Sequence, residues 1–531
     1  MTETEKLQFL DNLENAVKSF YTTISNYADK NPELIQVLLN FRLQTKSMLL
    51  NNLSKIKKNI AKLNDPELNK KYERLKLNRE NISKLISLNT DEYPAAMAEA
   101  AELKKEADLA EKEISLKIAQ SNFSGNEKTI WQDIQKQLKP GECAIEILRT
   151  NLIYKNDSAG TNYTYLIIKN TGAPTFYMID RPLKWEEEVV NLYRNSIEDK
   201  KDNPDLYRRL WKGVSDKIGS VNTIYISPDG IYNQINLNTL VNPETNKYVI
   251  EEKNIHLLTT LSDLKSIRTN PSRPPANAVL VGNPTFSYDL STLPQNKKNF
   301  GNDLAVRGAY GFKLDELPGT KTEVETIKLQ LEKRALATTL LTEEKANEAD
   351  VKKIKDPDVL HFATHGFFLE DLAEETLAEL SKTEQSYYKN PMMRSGIFFS
   401  GANNTYSLNT TNISQLKEFE DGILTAYEAM NLDLDKTELV VLSACQTGLG
   451  KVKNGEGVFG LQRSFKLAGA RSIIMSLWSV SDDATMELMV ALYSKWIVSG
   501  DLYTAFKEAQ LEVKKKYPEP YYWGAFVLNG R

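Results

Sequence analysis

The sequence is poor in cysteine: Cys143 and Cys445 are the only two in 531 residues. So few thiols exclude a disulfide framework and fit a reducing compartment. They also leave no cysteine cluster to hold zinc. Charge of one sign is lacking too, since 67 Lys and Arg stand against 71 Asp and Glu. Nucleic-acid-binding domains carry a strong basic excess, so no direct nucleic-acid partner is expected. No run of 18 apolar residues exists, so no membrane-spanning helix is expected. The start, Met1-Thr2-Glu3-Thr4-Glu5-Lys6, is polar and acidic and does not read as a signal peptide. Together these absences predict a cytoplasmic protein. Gly448, Gly450, Gly455 and Gly457 match neither the Walker spacing nor Gly-x-Gly-x-x-Gly, so no phosphate cradle is read there. A serine-hydrolase elbow, Gly-x-Ser-x-Gly, is missing as well. No cofactor is expected.

What is present organises around Leu439-Val440-Val441-Leu442-Ser443-Ala444-Cys445-Gln446-Thr447-Gly448. Four apolar residues without polar interruption read as a strand buried on both faces. The cysteine falls where that strand should end, and the carboxyl ends of parallel strands are where ligands bind in open α/β sheets. Upstream, Val359-Leu360-His361-Phe362-Ala363-Thr364-His365-Gly366 repeats the plan and ends in His-Gly. A thiol and an imidazole at two strand ends are the parts of a cysteine nucleophile and its base.

These residues resemble the caspase-like cysteine peptidases, which include caspases and separases, and in detail the bacterial CHAT domain. The resemblance rests on five stretches in order: 361–366, 421–426, 442–448, 468–470 and 476–480. It covers roughly residues 220 to 531. It implies a cysteine endopeptidase that cleaves a specific partner protein, in bacterial defence or cell-death signalling. Cys445 would be the nucleophile and His365 the proton carrier. The backbone N–H groups of Gly366 and Cys445 would form the oxyanion hole. In separases a similar Leu-Trp-x-Val-x-Asp stretch accompanies a preference for arginine before the scissile bond. Trp478, Ser479 and Asp482, helped by Asp421, are therefore expected to bind substrate along residues 476–480, with Asp482 favouring Arg or Lys. Two other readings stay open: a catalytically degenerate scaffold or binding module, and acyl transfer on a non-peptide substrate.

Taken in order, residues 1–125 read as a helical domain. Leu10, Leu13, Val17, Phe20 and Ile24 follow one helical face. Asn31-Pro32, Asp65-Pro66 and Tyr93-Pro94 divide four helices. The tetratricopeptide consensus is absent, so the helices read as degenerate repeats, and the chain is a candidate C-terminal half of a longer repeat protein. Lysines 55, 57, 58, 62, 70, 71, 76 and 84 read as a solvated face interleaved with acids. Residues 140–275 read as a non-catalytic α/β subdomain, and 276–531 as the catalytic one. The fold class predicted is α/β, a mostly parallel sheet with helices on both faces after an all-α domain. The helical domain is expected to pass a signal from an activating protein to long segments at 367–420 and 446–456. His361 and His365 lie too far apart along a strand to share an ion, so no metal is expected. His361 is expected in the core or behind the site. His256 and Cys143 read as structural.

Overall fold

The computed structural model describes residues 5, 19–21, 23–24, 27, 31, 33–86, 94–121, 129–153, 159–182, 184–288, 314–369, 374–379, 385, 388–407, 413–418, 420–444, 448, 450–453 and 457–530. Helical residues at 19–21, 23–24 and 27 are followed by α1 (Glu33–Thr45), α2 (Met48–Leu63), α3 (Pro66–Ile86) and α4 (Pro94–Gln120). Each proline-marked break falls between helices or at a helix start. At the second break Pro66 opens α3, where its missing N–H costs nothing. Asp65 accepts there from the free amides of Glu67 and Leu68, at 3.0 and 3.2 Å.

Eleven strands form one continuous sheet. They are β1 (Glu142–Ile153), β2 (Ala159–Lys169), β3 (Thr175–Pro182), β4 (Thr223–Ser227), β5 (Asn254–Leu257), β6 (Asn277–Pro284), β7 (Ala337–Glu343), β8 (Val359–Ala363), β9 (Leu439–Ser443), β10 (Ser472–Ser476) and β11 (Phe526–Gly530). Their spatial order is β3-β2-β1-β4-β5-β11-β10-β9-β8-β6-β7. The β3-β2, β2-β1 and β11-β10 pairs are antiparallel, and the other neighbours run parallel. The expected fold class is therefore the observed one. The two expected α/β units share this sheet, joined where the C-terminal strand β11 meets β5 through Asn529 and Leu257.

The apolar run of β9, and that of β8 apart from His361, have a plain cause. Leu360, Phe362, Val440 and Leu442 pack on one face with Phe399 and Phe465. Val359, Ala363, Leu439 and Val441 pack on the other, with residues of helices α5 (Pro318–Glu332), α6 (Asp482–Ser499) and α7 (Leu502–Lys516). Both faces are covered, so neither tolerates a polar alternation.

The opening helices are fastened to the sheet, not tethered beside it. Leu38 and Leu39 of α1 share a core with Ala144, Leu148 and Leu166. Arg42 donates through Nε to Glu146 (3.2 Å) and through Nη2 to Asp229 (2.8 Å), and Lys46 reaches Glu146 at 2.8 Å. All four side chains are buried. The reading of the lysines as a solvated face needs correction at three positions. Lys57 donates to the carbonyl of Ala468 (2.7 Å), the last residue of helix 461–468. Such a cation complements the helix dipole. Lys76 lies near Asp433 (3.9 Å), and Lys84 pairs with Glu420 at 3.0 Å. Helical periodicity placed these lysines on a polar face but could not show that the α/β unit covers part of it.

Candidate active site

The register of β8 and β9 sets the site. They pair in parallel, with Ala363 opposite Ser443 at their carboxyl ends. His365 follows two residues beyond Ala363, and Cys445 two residues beyond Ser443. Cys445, Gln446 and Thr447 lie outside the described residues. The chain on either side of them is held by one residue at the end of β10. Ser476 Oγ–H donates to the Ala444 carbonyl, and the Gly448 N–H donates to the Ser476 carbonyl at 2.8 Å. A Cβ on Gly448 would come within 2.9 Å of that carbonyl, so the close approach requires glycine.

A cavity of about 70 Å³ opens at these strand ends. Its walls include Thr364, His365, Ser443, Ala444, Trp478 and Asp482. His365 Nε2–H donates to the Asp315 carbonyl at 2.9 Å, and its ring lies 5.3 Å from that of Phe286. A carbonyl only accepts, so this bond puts the proton on Nε2 and leaves the Nδ1 lone pair for other work. Gly366 opens a short strand, 366–368, which pairs with 395–398; that strand pairs in turn with 423–425.

Below the cavity lies a buried polar chain. His361 bonds through Nε2 to Glu323 (2.9 Å) and through Nδ1 to the Tyr493 hydroxyl (3.0 Å). Glu323 also lines the cavity. Burial raises the Tyr493 phenol well above its ordinary value, with the Glu323 carboxylate adding to it. His361 is thus committed to protein partners. Among the described residues no group of three His, Cys, Asp or Glu side chains could hold a metal ion.

Of the residues expected to bind substrate, the structure brings Trp478 and Asp482 to the cavity with His365. Trp478 is fixed by donating from Nε1 to the Tyr521 carbonyl at 3.0 Å. Asp482 lies against Gly319, where an added Cβ would meet its carboxylate at 2.7 Å. Asp482 is not the cap of α6; that role belongs to Ser481, which accepts from the Ala484 amide. Ser479 is exposed and does not line the cavity.

Asp421 lies elsewhere, buried beside Glu348, Lys352, Glu420 and Glu428. Burial, reinforced by the Glu428 charge, pushes its carboxyl up to about 6. The stretch 476–480 is not a free edge along its whole length. Ser476 pairs with Phe526, and the Leu477 N–H donates to Ala525, because β11 occupies that side. Only Trp478 to Val480 extend past the sheet.

Glu323 is a contributor that motif reading missed, while Ser476 stood in the quoted stretch 476–480 without this role. Glu323 belongs to no motif; its signal was an acid on a helix expected to cover the sheet. Ser476 closes a predicted strand beside the quoted Leu-Trp pair.

The chain is thus a largely parallel α/β sheet with helices on both faces, in which His365 follows one central strand and Cys445 follows the neighbouring strand in sequence. The CHAT domain model matches residues 202–531, and the chain belongs to the CHAT domain family. The chain is 33% identical over 121 residues to tetratricopeptide repeat protein 28 of Homo sapiens, which is 22% of this chain and 5% of that protein. The Mus musculus protein of the same name is 32% identical over 123 residues. The chain thus spans a small part of the length of these relatives. Among solved structures it is similar to the Arg-specific cysteine proteinase gingipain R, with a TM-score of 0.35 and 10% identity over 65% of this chain and 74% of that one. It is similar also to the Saccharomyces cerevisiae separase–securin complex, with a TM-score of 0.41 and 10% identity over 82% of this chain and 34% of that one. No helix among the described residues is long and apolar enough to cross a membrane.

Proposed function

We propose that this chain is a cysteine endopeptidase acting through His365 and Cys445 on a specific partner protein. The observation that carries the reading is the in-register pairing of β8 and β9, which ends beside a cavity lined by His365, Ser443 and Ala444. The Cys445 thiolate attacks a peptide carbonyl and forms an acyl-enzyme, and water then releases it. His365 takes the thiol proton through its free ring nitrogen and returns a proton to the leaving amine. The amides of Gly366 and Cys445 stabilise the oxyanion. Asp482 and Trp478 receive an Arg or Lys side chain before the scissile bond, and Ser479 lies along the substrate backbone. Asp421 supports the neighbouring segment and does not touch substrate.

A cavity of about 70 Å³ holds a few waters and no long side chain. Substrate entry therefore requires the segments around it to open. The opening helices, docked through Ser83 and Lys84 on residues 420–428, are the route by which an activating protein acts. A cytoplasmic role in bacterial defence or cell-death signalling follows the family resemblance.

Two cysteines make the test direct. Burial pushes the Cys143 thiol up to about 12, so it stays protonated and inert. Iodoacetamide should alkylate Cys445 alone, with a pH profile centred below the ordinary thiol value of about 8.5. His365→Ala should return that profile to the ordinary value. A Cys445 profile that ignores His365 contradicts the pairing.

A further inference from the structure

A second cavity, of about 950 Å³, shares no wall residue with the cavity of the candidate active site. Its walls include Glu142, Thr223 and Asn254, the first residues of β1, β4 and β5. The junction between α6 and α7 closes it, from Ser499 to Tyr503. The volume lies within the usual range for small-molecule sites, about 300–1,000 Å³.

Two groups in its wall keep hydrogen-bonding capacity that the described residues do not fill. The His256 ring stacks on Tyr503 at 3.4 Å and leans on Tyr225 at 4.8 Å. Neither ring nitrogen has a hydrogen-bond partner among the described residues. Lys507 donates to the Lys253 carbonyl (3.0 Å) and to Asn254 Oδ1 (2.6 Å), both neutral. It has no carboxylate partner among the described residues, and an ammonium keeps a third donor. Lys139 in the same wall is exposed, and most of the other charges there are engaged. Arg268 pairs with Glu142 and covers the Tyr225 ring, Asp501 caps α7 through the Thr504 amide, and Glu508 lies near Lys495.

Both side chains are half-buried, so water meets these groups when the cavity is empty, and an oxyanion can displace it. Burial holds the imidazole down at about 3, so His256 stays neutral and offers one donor and one acceptor to a polar ligand. Burial likewise lowers Lys507, and a bound anion would reverse that.

We propose that this cavity binds a small organic anion of about nucleotide size, its phosphate or carboxylate held by Lys507 and its polar edge bonded to His256. The site is separate from the candidate active site but mechanically joined to it. Helix α6 has Asp482 in one cavity and Ser499 beside the other, across 18 residues or about 27 Å.

The chain has three histidines, so their ring signals can be followed individually by NMR on the full chain labelled at histidine. His256→Gln identifies the signal. Adenosine monophosphate and citrate are the probes, with inorganic phosphate as the arm that separates a bare anion from an organic one. The expected result is a saturable shift of the His256 signals with either organic probe. Lys507→Met should weaken binding roughly 10- to 100-fold, the range for losing a bond to a charged group, with melting unchanged. Lys507→Arg should retain binding. The proposal is overturned if neither organic probe moves the signal up to about 10 mM, well above the millimolar limit of weak specific binding. It is equally overturned if Lys507→Met binds as the native chain does, or if inorganic phosphate binds as tightly as the organic probes.

Discussion

Arg42→Met should destabilise the α/β unit itself, although Arg42 belongs to a helix that reads as a separate domain. Its guanidinium bridges Glu146 on β1 and Asp229 after β4, with all three side chains at or below 3% exposure. A third bond runs to the Ile147 carbonyl at 3.4 Å. Methionine keeps the apolar stem and removes the charge. Lys46 still neutralises Glu146 in the variant. Asp229 keeps amide bonds from Arg149 (3.3 Å) and Gly230 (3.1 Å) but loses its guanidinium. Removing one partner of a buried pair costs about 3–5 kcal/mol, mostly from the charge left behind. At about 2–4 °C per kcal/mol for a unit of this size, melting should fall by roughly 6–20 °C. Scanning calorimetry on the full chain reads this directly. Adding Asp229→Asn to Arg42→Met should recover part of the loss, because the stranded charge is gone. A single variant that melts within about 2 °C of the native chain would refute the reasoning. So would a double variant less stable than the sum of its parts.

Three further outcomes follow from the geometry. Asp421 has its carboxyl raised to about 6 by burial and the Glu428 charge, with Lys352 and Lys84 opposing. The folded chain therefore binds that proton more tightly than the unfolded one, and the stability it adds is complete below the ordinary carboxylate value and lost as pH rises through about 6. Asp421→Asn should flatten the decline in stability between pH 5 and pH 7 (about one unit below and above that value), as urea titrations at the two pH values will show. Asp482→Asn should slow cleavage after Arg about 30-fold or more while leaving melting nearly unchanged, since Ser481 caps the helix. Unchanged preference in a cleavage-site map would remove Asp482 from the pocket. Ser476→Ala should free the Ala444 carbonyl, while the backbone bond to Gly448 stays, and lower turnover with little change in global melting, checked by steady-state kinetics beside calorimetry.

How much of this was legible in the sequence depended on whether the signal was local. The strands at 359–363 and 439–443 are almost wholly apolar, with His361 inside the first and Ser443 closing the second, because both sheet faces are covered, and that pattern is visible in the residues alone. The proline-marked helix breaks were equally plain. Strands β5 and β7 were not foreseen. Asn254–Leu257 is four residues long and carries His256, and Ala337–Glu343 has threonines and partial exposure. Neither makes a distinctive run. The C-terminal helix Leu502–Lys516 was missed although its periodicity was present. The larger difference is tertiary. Nothing in a lysine's neighbours in sequence tells whether its ammonium meets water, as Lys71 does beside Glu113, or a helix end 411 residues away, as Lys57 does. Asp421 misled for the same reason: its motif placed it near the site, and only the packing of Glu348 and Glu428 shows it turned into a charge cluster. Trp478 and Asp482 were found because their stretch resembles the Leu-Trp-x-Val-x-Asp of separases.

The most direct test of the peptidase reading is proteome-wide mapping of new protein N-termini with the native chain, Cys445→Ala and His365→Ala, each in its activated state. The account predicts a small set of cleavages after Arg or Lys that vanish in both variants, while the variants melt as the native chain does. Cleavages that persist in a folded Cys445→Ala protein, or a native chain that yields none under conditions where its substrate is bound, would contradict it.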